Sequence, residues 1–152
     1  MAEKVLLLRC ASMPVIEMVV NKINPAAEIT CLVQDTFVQQ MSEKFKNWNV
    51  VSIGASYFSY ESFCKNVSFA GKFDVVYVPS SAVEFHGFEE VFRIVEKIHY
   101  KKLVLINCKG EETVEYHNFL ETVKENIYNF LSKGYLAIFT SWYKHIGQKM
   151  KI

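Results

Sequence analysis

Two rhythms of apolar and polar positions alternate along this chain. Short apolar runs at residues 4–10, 28–34, 50–53, 73–79 and 102–107 have the length and continuity of strands buried on both faces. Between them the spacing changes to that of a helix with one apolar face. Val15, Ile16, Val19, Val20 and Ile23 follow the first run, with Ser12 available as N-cap and Pro14 tolerated in the first turn. Asn24-Pro25 ends that helix. Asp35 is placed to cap a second, whose Phe37, Met41, Phe45 and Trp48 share a face. Gly54 closes the third run, and residues 57–67 predict a short helix with Tyr60, Phe63, Cys64 and Val67 inward. Phe88, Val91, Phe92, Val95 and Ile98 predict a further amphipathic helix.

Strands alternating with helices imply right-handed crossovers and a parallel sheet covered on both faces. The expected fold is therefore α/β, a single Rossmann-like three-layer sandwich with a five-stranded parallel sheet of order 3-2-1-4-5. Such a sheet binds ligands at the carboxyl ends of its strands where the winding reverses, here between the first and fourth strands. The mouth is lined by residues 10–15 and 79–87, with residues 107–112 and 34–35 as outer walls.

Everything after the fifth strand reads as helical, so residues 1–110 form the βα core and residues 111–152 a helical segment of one 152-residue domain. Tyr116, Phe119, Leu120, Val123, Ile127, Phe130 and Leu131 keep helical spacing, and residues 135–143 are apolar nearly all round. This long C-terminal helix has one face more than the sheet needs. A homodimer is the first expectation for that surface, then a separate partner chain. The third is peripheral contact with an anionic membrane, suggested by Trp142, Tyr143 and a lysine tail without acids.

Composition narrows the field. Half the residues are apolar, which excludes disorder, and 17 basic against 16 acidic residues argue against a nucleic-acid binder. Cys10, Cys31, Cys64 and Cys108 are widely spaced and read as reduced thiols of a cytoplasmic protein. The first apolar run is too short for a leader, and no stretch reaches the roughly 18 apolar residues of a spanning helix.

The candidate ligand-binding residues are those the topology brings to the mouth. Arg9 offers a guanidinium for a phosphate or carboxylate, or else pairs with a nearby acid. Ser12 offers a hydroxyl at a helix N-terminus, or simply caps it. Ser80, Ser81 and His86 form the polar loop opposite, and Asn107 ends the fifth strand. No glycine-rich dinucleotide or P-loop motif occurs, so no cofactor is expected. His86, His99, His117 and His145 lack the close spacing of a zinc site, and no metal is expected. A buried strand end is a sufficient explanation of Cys10.

Residues 5–13, Val-Leu-Leu-Leu-Arg-Cys-Ala-Ser-Met, and 25–34, Pro-Ala-Ala-Glu-Ile-Thr-Cys-Leu-Val-Gln, resemble the opening of the heptosyltransferase-like GT-B glycosyltransferases. That opening is a strand, a basic residue, a Ser-rich turn and a Gly-Asp pair, with a Pro-x-Ala-Glu-Ile phrase before the second strand. The resemblance covers about the first forty residues well and the rest only loosely. It implies a sugar or nucleotide-sugar as ligand, Arg9 as the matching basic residue, and the acceptor-side half of a two-domain enzyme. The chain has the length of that half alone, and the family's Gly-Asp, whose Asp serves as general base, falls on Pro14 and Val15. Glu17, nearby in the first helical turn, is the remaining carboxylate. The expectation is a glycosyltransferase-like protein, inactive alone, that binds sugar or serves assembly beside a catalytic partner. Two alternatives stand beside it. In one, a second chain or a homodimer completes the enzyme; in the other, the chain is a flavodoxin- or receiver-like regulatory domain.

Overall fold

The computed structural model describes residues 1–116. Its elements run β1 (Lys4–Leu8), α1 (Met13–Val20), β2 (Glu28–Val33), a 3-10 turn (Asp35–Phe37), α2 (Val38–Lys44), β3 (Asn49–Ser52), α3 (Tyr60–Asn66), β4 (Phe73–Pro79), α4 (Glu89–Glu96), β5 (Tyr100–Ile106) and β6 (Glu112–Tyr116). They build one sheet of order β3-β2-β1-β4-β5-β6. The first five strands pair in parallel as their apolar runs predict, and the winding reverses between β1 and β4.

β1 is central because nothing in it tolerates water on either side. Val5, Leu6, Leu7 and Leu8 are each fully buried, a side chain of this kind contributing about 2 kcal/mol. Alternation sends Val5 and Leu7 to one face, where they meet Val15, Ile16 and Val19 of α1 and Met41 of α2. Leu6 and Leu8 go to the other, against Phe63 of α3 and Val91, Ile94 and Val95 of α4. Helices thus cover both faces, giving three layers. Glu90 joins two of them on the second face, accepting the Tyr60 main-chain N–H at 2.8 Å while Arg93 pairs with its other oxygen at 3.1 Å.

Three expectations need correction, the smallest being that Cys64, expected inward on α3, is exposed. The sheet has six strands, not five, and it is mixed, because residues 112–116 form β6 antiparallel to β5 where helix was expected. The turn at Asn107 explains this. Its side-chain Oδ1 accepts the N–H groups of Lys109 and Glu111, both at 3.0 Å, and Gly110 at φ +80° lets the chain double back onto β5. Every residue of β6 is exposed, so main-chain bonds rather than an apolar face hold it, and an apolar pattern has little to report. The second correction is local. Asp35 does not cap α2; it opens the 3-10 turn and its carboxylate takes the Ser52 hydroxyl at the end of β3. The long C-terminal helix expected beyond residue 116 lies outside the described residues.

Candidate functional site

The carboxyl ends of β1 and β4 sit where a switch-point ligand would bind, and Arg9 follows β1 directly. Its main-chain N–H continues the parallel ladder to Leu32 at 2.9 Å, and the side chain lies over the Phe37 ring, 3.4 Å from its centroid. Only 8% of the residue is exposed, its Nε is buried without a hydrogen-bond partner, and no carboxylate among the described residues pairs with it. The acid neighbour considered for it is therefore not found there. Burial lowers the guanidinium's pKa. Desolvating a cation without a counter-charge costs several kcal/mol, which a cation–π contact worth about 2 kcal/mol offsets only in part. Phe37 was legible as one of a row of apolar residues on α2, but the 3-10 turn takes it out of that row and under Arg9.

Most of the other candidates hold the loops together. The Ser12 hydroxyl makes no cap on α1; instead its main-chain N–H donates to Ser81 Oγ at 2.7 Å, tying the β1–α1 bend to the loop after β4. Ser80 is almost wholly buried, its hydroxyl donating to the Glu84 carbonyl and accepting from the Ala82 N–H, both at 3.1 Å. Asn107 uses both ends of its amide, as described for the turn, and its Nδ2 donates to the Val83 carbonyl at 3.3 Å and to Glu111 Oε2 at 2.7 Å. His86 stays in solvent beside Glu84. Structure thus brings Ser12 and Ser81 together, and Ser80 with Asn107 through the 80–84 turn, while His86 joins neither group.

Groups able to attack or take a proton are poorly placed at this mouth. Val15, where the resemblance puts the family's Asp, is a buried core residue on α1. Glu17 pairs with Lys44 of α2. The Cys10 thiol donates to the Pro79 carbonyl at 3.1 Å, and burial pushes its pKa far up; the Cys31 thiol is pushed up to about 12 for the same reason. Gln34, at the end of β2, has a buried Oε1 without a partner and was read only as part of an outer wall. Among the described residues no three His, Cys, Asp or Glu side chains gather as metal ligands would, and no helix is long and apolar enough to cross a membrane.

In comparisons with protein families, curated proteins and solved structures, the chain matches none.

Proposed function

We propose that this chain is a binding module of the glycosyltransferase-like kind rather than an enzyme by itself, and that it holds the anionic group of a sugar phosphate or nucleotide-sugar at the end of β1 for a catalytic partner. The observation that carries the reading is the Arg9 guanidinium, buried at the switch point with no counter-charge among the described residues. A phosphate would supply that charge and accept the vacant Nε–H, the pairing for which a guanidinium fork is suited. Supporting it is the make-up of the mouth, where the hydroxyl of Ser12 remains available and the nearest thiol is held protonated.

Calorimetric titration tests this with uridine diphosphate sugars, sugar phosphates and the corresponding free sugars. Phosphorylated ligands should bind and free sugars bind at least tenfold more weakly. Arg9→Met, which keeps the stem over Phe37 and removes the charge, should abolish the difference. Binding that survives both Arg9→Met and Ser12→Ala would remove the site. Transfer of sugar from a nucleotide donor by the purified chain alone would overturn the non-catalytic reading.

A further inference from the structure

The opposite, amino-terminal end of the sheet carries a second polar assembly that the switch-point rule does not anticipate. Register sets Lys4 of β1 directly beside Glu28 of β2, and Thr30 of β2 beside Asn49 of β3. Alternation puts Lys4, Glu28 and Thr30 on the same face as Leu6, Leu8 and Leu32, the face that α3 and α4 cover. α3 ends at Asn66, and the chain linking it to β4 forms one side of a half-open cavity of about 270 Å³ over these residues. Phe69 supplies the apolar side of the wall, packed edge-on against Phe73 with ring centroids 5.2 Å apart.

None of the side chains of Lys4, Glu28, Thr30 and Asn49 makes a hydrogen bond or ion pair among the described residues. For the two charged residues this is notable, because neighbouring strands lie only about 4.8 Å apart and the pair is within reach of itself. Asp74, another acid beside Lys4, is already engaged. It accepts the Lys4 main-chain N–H at 2.8 Å and pairs with Lys101 at 2.9 Å; the Lys4 ammonium adds to its field but makes no ion pair with it.

We propose that this cavity binds a small zwitterion of the α-amino-acid class, with the ligand carboxylate on Lys4, its ammonium on Glu28, and its side chain against Phe69. One ammonium and one carboxylate side by side match a molecule that carries both charges a bond or two apart. Thr30 and Asn49 provide the additional acceptors an ammonium needs and the donors a carboxylate needs. The volume falls just below the roughly 300–1,000 Å³ usual for ligand pockets, a size that suits an amino acid. The proposal is independent of the Arg9 reading, since Arg9 lies at the other end of the strand.

Calorimetry on the full chain with phenylalanine and leucine tests it, against phenylpropanoate, which lacks the ammonium, phenethylamine, which lacks the carboxylate, and glucose as a neutral polyol. The amino acids should bind with Kd below about 1 mM, and each one-charge analogue at least tenfold more weakly. Lys4→Met and Glu28→Gln should each weaken binding tenfold or more, whereas Arg9→Met should leave it unchanged. Both substituted side chains are exposed, and thermal melting separates lost binding from lost fold. Amide chemical shifts of the unsubstituted protein give a second readout, with movement expected at Thr30 and Asn49 and none at Ser12 and Ser81. Absence of binding up to about 10 mM, equal binding of a one-charge analogue or glucose, or binding that persists in the Lys4→Met/Glu28→Gln double variant would overturn it.

Discussion

The two ends of the sheet hold similar inventories of polar side chains and use them differently. At the carboxyl end, Ser80, Ser81 and Asn107 are engaged in holding the loops in shape and to one another, and Arg9 alone is left with a buried, unanswered donor. At the amino end, Lys4, Glu28, Thr30 and Asn49 project from strand positions whose main-chain bonds the sheet already provides, and their side chains make no hydrogen bond or ion pair among the described residues. Loops must satisfy their backbone with side chains, whereas strands satisfy theirs with one another. Polar residues in a loop mouth are therefore weak indicators of a ligand until their bonds have been traced.

That contrast breaks first at Asn107. Asn107→Ala removes both acceptor bonds of the turn and both Nδ2 bonds, and should cost about 2–4 kcal/mol in urea unfolding. A cost below about 0.5 kcal/mol would mean the turn is held otherwise. Arg9→Met comes next and has the opposite sign. Replacing an uncompensated buried cation with an apolar stem of similar length should stabilise the free protein by about 1 kcal/mol, and a marked loss would make Arg9 a structural stack on Phe37. Asn49→Ala, at the other end, should stay within about 0.5 kcal/mol of the parent, because its side chain makes no hydrogen bond among the described residues.

Thiol chemistry sharpens the same accounting without a mutation. Under native conditions a maleimide should label Cys64 and Cys108, which are exposed, and spare Cys10 and Cys31, whose thiols burial holds protonated; intact mass would read two additions rather than four. The smallest effect is one of pH. Asp74 titrates below its ordinary value of 3.8, chiefly because it accepts the Lys4 N–H and then because of Lys101. A carboxyl whose pKa is depressed by folding favours the folded state above 3.8 and ceases to do so as the pH falls through its lower folded value. The melting temperature of the parent should thus fall slightly more than that of Asp74→Asn below pH 3.8, and equal slopes would show that the Asp74 contacts do not persist in solution.

The parallel part of the fold was legible because its cause is local. Val5–Leu8 is buried on both faces, and a run with no polar position can occupy only the centre of a covered sheet; α1 and α4 announce themselves through apolar spacing and, in α1, Pro14 near its start. β6 was not legible. Its Glu-Thr-Val-Glu-Tyr carries no buried residue, and both of its glutamates belong to a stretch that suits a helix equally well. At the candidate site, Arg9 was identified from its place after β1, but its lack of an acid partner was not.

The order and type of the first five strands, the crossovers and the position of the winding reversal were set by the chain itself, because periodicity and turn residues act over a few positions. Tertiary structure decided which polar groups are occupied: Ser81 meets Ser12 across 69 residues, whereas Lys4 and Glu28, set side by side by strand register, form no ion pair. Such pairings depend on where separate segments come to rest relative to one another. Hydrogen bonds and ion pairs act over a few ångströms in space, and distance along the chain carries no record of them.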